Sequence, residues 1–194
     1  MVSCSEIYFT RLSETVNRYR LRKEALGACA MAYGYECHDV KADGNCFFYA
    51  ASDQIQALGC SAEDAEPDLL RILVAVTIDT YQDYYHDFLI DHEGAEEIAA
   101  PHVWAGQIAI NAFARTQNLI VVIIPHDGGM PQVFKPAGAT HVVVLGNEVN
   151  FHFQSLRRPE GLAAGLASAQ LQDLIDAAEN LPNLDAPAVE LSPY

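Results

Sequence analysis

The chain of 194 residues is poor in three things, and each shortage narrows what it can be. It has no Cys-x-x-Cys pair, and its five cysteines, at 4, 29, 37, 46 and 60, are odd in number. A disulfide framework and a zinc ribbon are therefore not expected, and free thiols suit a reducing compartment. It is short of positive charge: 11 Lys and Arg stand against 26 Asp and Glu, for a formal net charge of −15. Phosphate backbones are gripped by Lys and Arg, so no nucleic-acid partner is expected. The excess of carboxylates suits either a basic partner surface or solubility alone. Long apolar runs are also missing: the stretches at 119–125 and 141–145 are far below the roughly 20 residues that span a bilayer. The first residues carry no basic region followed by an apolar one, so no secretory signal is expected either.

What is present is globular. Hydrophobic residues make up 51% and charged residues 19%, enough to bury one core. Residues 5–33 show helical spacing of Ile7, Leu12, Val16, Tyr19, Leu26 and Met31, with a basic cluster at 18–23 that reads as a solvated face. Asp43-Gly44 is turn chemistry, and a helix is expected from Cys46 to about Gly59. Further helices are expected from Pro67 to about Ile90 and from Pro101 to about Gln117. The stripe of Tyr81, Tyr84, Tyr85 and Phe88 follows the first of these and reads as core.

Strands gather late, at 119–124, 132–134, 141–145 and 150–156. Helices followed by strands predict an α/β or α+β class with a small sheet packed between helices. Residues 162–181 are expected to form an Ala-rich helix, and 182–194 a flexible tail.

The chemistry centres on Asp43-Gly44-Asn45-Cys46-Phe47-Phe48-Tyr49-Ala50. A cysteine at a helix N-terminus sits in partial positive charge, which favours its thiolate. Gly44 lets backbone approach a substrate, and the N–H groups of this loop, Asn45 and Cys46 included, can face an oxyanion. A buried cysteine after an ordinary turn is the plainer alternative, and a partner base is needed to displace it. His152 supplies one. It lies on a late alternating segment with Asn150 and Gln154 on its face, and Gln154 can orient the imidazole through its side-chain oxygen. His141 is the rival base. Cys37-His38 lacks a second ligand pair, so neither metal nor cofactor is expected.

These segments resemble the ovarian-tumour (OTU) deubiquitinases. The block at 43–50 resembles the family's nucleophile motif, Val103-Trp104-Ala105-Gly106-Gln107 its Trp-Gly-Gly helix opening, and Asn150-Phe151-His152-Phe153-Gln154-Ser155 its terminal histidine segment. The resemblance implies a papain-like OTU fold over residues 1–160, with 1–36 as a helical extension and 161–194 as an added helix and tail. It implies Cys46 as nucleophile, His152 as base, Asp43 and Gln154 as supporting residues, Gly44 and Asn45 shaping the oxyanion loop, and Trp104 and Asn150 on the substrate side.

It further implies a monomeric thiol protease that cleaves after the Gly-Gly terminus of ubiquitin or polyubiquitin in the cytoplasm, including a host cytoplasm if the protein is a bacterial effector. Two departures stand out: Gln154 where Asp or Asn is usual, and Ala105 and Ala109 where Gly and Glu are common. An inactive ubiquitin-binding module and another papain-like amide or thioester hydrolase are the competing functions.

Overall fold

In the computed structural model, the described backbone covers residues 4–88, 94–148, 152–159, 164–182 and 184, with side chains described from residue 14 onward. Five strands form one sheet: β1 (Glu36–His38), β2 (Ile120–Pro125), β3 (Gln132–Phe134), β4 (Val142–Asn147) and β5 (Phe153–Arg157). Their order is β1-β5-β4-β2-β3, with β2 and β4 parallel and every other pair antiparallel.

The β-branched runs in β2 and β4 are buried on both faces, as parallel strands between helical layers are. Val121, Ile123, Val143, Leu145 and Phe153 meet α2 (Cys46–Ala57), α3 (Pro67–Thr80) and α6 (Gln107–Gln117). Ile120, Val122, Ile124, Val144 and Leu156 meet α1 (Cys4–Ala32) and α7 (Ala169–Ala177).

Local chemistry explains where the helices begin and end. Pro67 occupies the first turn of α3, and the Glu66 carboxylate accepts the Leu69 N–H at 2.8 Å. Asn118 closes α6 at φ 50°, a left-handed cap that asparagine tolerates. Between β4 and β5, the Gln54 side chain stands in for missing ladder bonds. Its Nε2 donates to Leu156 O at 3.0 Å and to Ser155 Oγ at 2.7 Å, while its Oε1 accepts Val144 N–H at 3.2 Å.

Several expected elements are redrawn. The helix from Pro67 stops at Thr80, and a short α4 (Gln82–Tyr85) and a 3-10 turn (His86–Phe88) follow. Tyr85 is core, whereas Phe88 is exposed. A separate α5 (Ala95–Ala99) comes next. No helix starts at Pro101: His102 is left-handed at φ 64°, which forbids helical continuation, and α6 starts only after Gly106.

The C-terminal helix is shorter than expected and lies on the sheet through Leu171 and Ile175. The basic cluster of α1 is not wholly solvated. Tyr19, Arg22 and Lys23 share the face of Leu26 and Ala30, and that face turns toward the sheet. No helix among the described residues is long and apolar enough to cross a membrane.

Candidate active site

Cys46 is the first residue of α2. Phe47 packs edge-on against Phe48, Phe113 and Phe153, and this aromatic cluster ties the helix to β5. The backbone N–H of Phe153 points at the Cys46 sulfur, 3.4 Å away. The segment of His152, just before β5, is thereby brought to Cys46 across more than a hundred residues of sequence. His141 lies before the opposite end of β4 and cannot take this place.

Cys46 is only 1% exposed, and burial pushes its pKa up against the opposing N–H groups of Phe153 and Phe47. A helix N-terminus acting alone would lower it. Desolvation wins because a thiolate at that depth loses its water. His152 is 2% exposed; burial lowers its pKa, while Asp39, Asp43 and the Val40 carbonyl, which accepts from the ring, oppose that shift. Burial thus favours the neutral form of each group, and Asp43 acts electrostatically on both.

Asp43 organises the loop. Its carboxylate accepts the Asn45 N–H at 2.8 Å, and its carbonyl accepts the Cys46 N–H at 3.0 Å. Partial burial disfavours the Asp43 carboxylate, yet Lys41 at 2.8 Å, the Asn45 N–H and His102 hold it below the usual carboxylate range. The two N–H groups expected at an oxyanion are thus engaged by Asp43, and a developing oxyanion would have to displace it.

Gly44 is packed so closely that a Cβ there would lie 1.7 Å from the His102 carbonyl oxygen. Only glycine fits. The left-handed turn at His102 is held in place by its N–H, which donates to Asn45 Oδ1 at 3.1 Å. Trp104 stacks on Phe153 with ring centroids 5.0 Å apart, and both line a groove of about 370 Å³ with Gln107, Gln132 and Asn147. Asn150 lies outside the described residues.

Gln154 is reached by a different partner from the one expected. Its Nε2 donates to Glu148 Oε1 at 2.7 Å, and its oxygen and the His152 Nδ1 are not bonded to each other. Sequence reasoning missed Glu148, and it missed Arg71. Arg71 on α3 is buried, its guanidinium over the Phe48 ring. It donates to the carbonyls of Gly44 (3.1 Å), Ile98 (2.8 Å) and Val103 (2.8 Å) and to Asn45 Oδ1 (2.6 Å). The signal was present: Arg71 stands at helical spacing with Val74, Ala75 and Ile78, on the core face of its helix.

A family model described as OTU-like cysteine protease matches residues 41–150. This chain belongs to that family. The OTU match takes in the nucleophile loop and the Trp104 segment and stops two residues before His152. Among curated proteins, OTU domain-containing protein 3 of Mus musculus is 26% identical over 128 residues, which are 66% of this chain and 32% of that protein. The chain therefore spans about a third of the length of this OTU relative.

Three solved structures share the fold. The OTU domain of OTUD1 has a TM-score of 0.59 and 15% identity, covering 74% of this chain and 99% of its own. An OTU deubiquitinase from Wolbachia pipientis wMel has a TM-score of 0.54 and 12% identity, covering 73% and 96%. An OTU domain solved in complex with ubiquitin has a TM-score of 0.53 and 18% identity, covering 63% and 69%.

Proposed function

We propose that this OTU protein is a deubiquitinase that cleaves the isopeptide or peptide bond following the C-terminal Gly-Gly of ubiquitin or a ubiquitin-like protein. One observation carries the reading: the Phe153 N–H on the Cys46 sulfur, which brings the residue after His152 against the nucleophile.

In the proposed reaction the Cys46 sulfur attacks the carbonyl carbon of the terminal glycine, and His152 takes the thiol proton. The tetrahedral intermediate collapses, the C–N bond breaks, and His152 returns its proton to the leaving amine. Water, deprotonated by His152, then attacks the thioester carbonyl; the C–S bond breaks, the carboxylate is freed, and the Cys46 sulfur recovers its proton from His152. Gly44 and Asn45 shape the loop at the oxyanion, Asp43 holds that loop, and Gln154 supports the histidine. Trp104 and Asn150 border the path of the substrate tail. The acidic surface suits a basic partner, and a monomer acting in a reducing cytoplasm, that of a host included, fits free thiols.

A second reading has its own support. The sulfur is shielded, its pKa is raised, and Asp43 occupies the loop donors. These features suit a ubiquitin-binding module whose site is silent. A ubiquitin probe with a C-terminal electrophile separates the two readings. Covalent capture by wild type and none by Cys46→Ala supports the protease; reversible binding without capture selects the module. Turnover of a small amide or thioester with ubiquitin ignored points instead to another papain-like hydrolase.

A further inference from the structure

Glu148 is the buried carboxyl group that the proposed reaction does not use. It is 0% exposed, as is Gln154. Its backbone N–H donates to the His152 carbonyl at 2.8 Å, so it closes the chain between β4 and the histidine. Its Oε1 accepts Gln154 Nε2 at 2.7 Å. Three buried polar atoms in this cluster have no hydrogen-bond partner: Glu148 Oε2, Gln154 Oε1 and His152 Nδ1.

Two of the three are complementary. Gln154 Oε1 is an acceptor, and His152 Nδ1 is a donor whenever it carries the imidazole proton. Within β5, Gln154 lies on the face of Leu156, the face covered by α1, and Lys23 acts electrostatically on both His152 and Glu148. An amide can present either end. A carboxylate beside it removes that freedom, because carboxylate oxygen repels amide oxygen and attracts the NH₂ group. With Nε2 committed to Glu148, Oε1 becomes the end left for the imidazole.

We infer that Glu148 is a positioning residue that fixes the Gln154 amide so that its oxygen receives the Nδ1 proton of His152. This rests on His152 being the base. The inference requires the imidazole to turn from the Val40 carbonyl so that Nδ1 meets Gln154 Oε1, with Nε2 then left for the sulfur. The glutamine at a place where Asp or Asn is usual is then one half of a Glu-Gln pair. The groups facing the cluster are Tyr19, Arg22 and Lys23 of α1, His126 after β2, Asp39 after β1 and Asp43 of the nucleophile loop. Burial raises the Glu148 pKa, while the Gln154 hydrogen bond, His126, Lys23 and Arg22 pull it down.

The test compares Glu148→Leu, Glu148→Gln and the swap Glu148→Gln/Gln154→Glu. It uses kcat and KM on a ubiquitin substrate, the pH profile of Cys46 alkylation by iodoacetamide, and the thermal midpoint of each variant. Glu148→Leu, which frees the amide to turn, is expected to lower kcat by about 10- to 100-fold with KM within about 2-fold. Glu148→Gln keeps an acceptor for Gln154 and is expected to stay within about 5-fold of wild type.

In the swap, the amide placed at position 148 donates to the carboxylate placed at position 154, whose second oxygen faces the imidazole. Activity should return toward wild type, and the acidic limb of the alkylation profile should move up in pH, because a carboxylate stabilises imidazolium.

Unchanged kcat and an unchanged profile in Glu148→Leu would overturn the inference. So would losses that follow the thermal midpoint alone, with no movement of the acidic limb in the swap. If Glu148→Leu does not fold, the swap and Glu148→Gln still decide through that limb. If wild type never turns over ubiquitin, the alkylation profile reads the Glu148 effect on its own, which separates failure of this inference from failure of the proposed function.

Discussion

On the sheet face covered by α2, α3 and α6, the buried charge is Arg71, and it makes four hydrogen bonds. On the face covered by α1, the buried charge is Glu148, and one of its carboxylate oxygens makes none. The first face carries the loop of Cys46, the second the pair of Glu148 and Gln154. Arg71 leaves only its Nε without a partner, whereas the cluster of Glu148, Gln154 and His152 leaves three atoms orphaned, and a buried network with more orphaned atoms has more reason to rearrange. The difference teaches that Cys46 sits on a loop held by many contacts, while His152 still lacks a partner on its Nδ1.

The most severe way to break this comparison is at the sulfur. Cys46→Ala is expected to reduce ubiquitin cleavage by about 10⁴-fold or more with the fold intact, checked by turnover and circular dichroism. Arg71→Met attacks the rigid face. It strands the carbonyls of Gly44, Ile98 and Val103 and is expected to cost about 3–5 kcal/mol in denaturant unfolding. A loss below about 1 kcal/mol would show that the knot is not what holds the loop.

Gln54→Leu removes the splint between β4 and β5 and should cost about 2–3 kcal/mol, since the Val144 N–H and Leu156 C=O lose their partner in a dry setting. Gly146→Ala probes the α1 face, where an added Cβ would lie 2.7 Å from Leu26 Cδ2. Overpacking there should cost about 1–2 kcal/mol, less than any change at the knot, because a leucine side chain can yield.

The smallest effect is in pH. The folded pKa of His152 lies below its unfolded value near 6.5, so its contribution is present above pH 6.5 and is lost as pH falls through the folded value. The stability of wild type should therefore decline more steeply below pH 6.5 than that of His152→Gln. Equal slopes in the two thermal profiles would mean that the imidazole is not held neutral by burial.

Much of the nucleophile face was legible in the sequence. The motif at 43–50 is local, and the β-branched runs of β2 and β4 announce buried strands whatever surrounds them. The segments of Cys46 and His152, which meet through the Phe153 N–H, each carried their own cue. What stayed hidden is non-local. Arg71 is the only Lys or Arg between residues 42 and 114, a stretch with thirteen Asp and Glu, so it reads as a surface charge until the Gly44 and Val103 carbonyls are seen around it.

Glu148 follows Gly146-Asn147, which reads as a turn, and its burial depends on the packing of α1. The raised pKa of Cys46 could not be read from a helix start, because it depends on how deeply the aromatic cluster draws that helix into the core. The false helix at Pro101 has a similar cause. The strain at His102 is offset by Asn45, 57 residues away.

The hydrogen bond from Phe153 to sulfur also links bond chemistry to the polypeptide. A thiol sulfur accepts that N–H. Once acylated, it has less electron density to offer, and the bulk of a thioester sits in the same space. In the proposed reaction, the start of β5 would then be released at the stage when His152 changes from delivering a proton to removing one from water. Amide exchange at Phe153 should accelerate after capture of an electrophilic ubiquitin probe. An unchanged rate would mean that the strand does not sense the state of the sulfur.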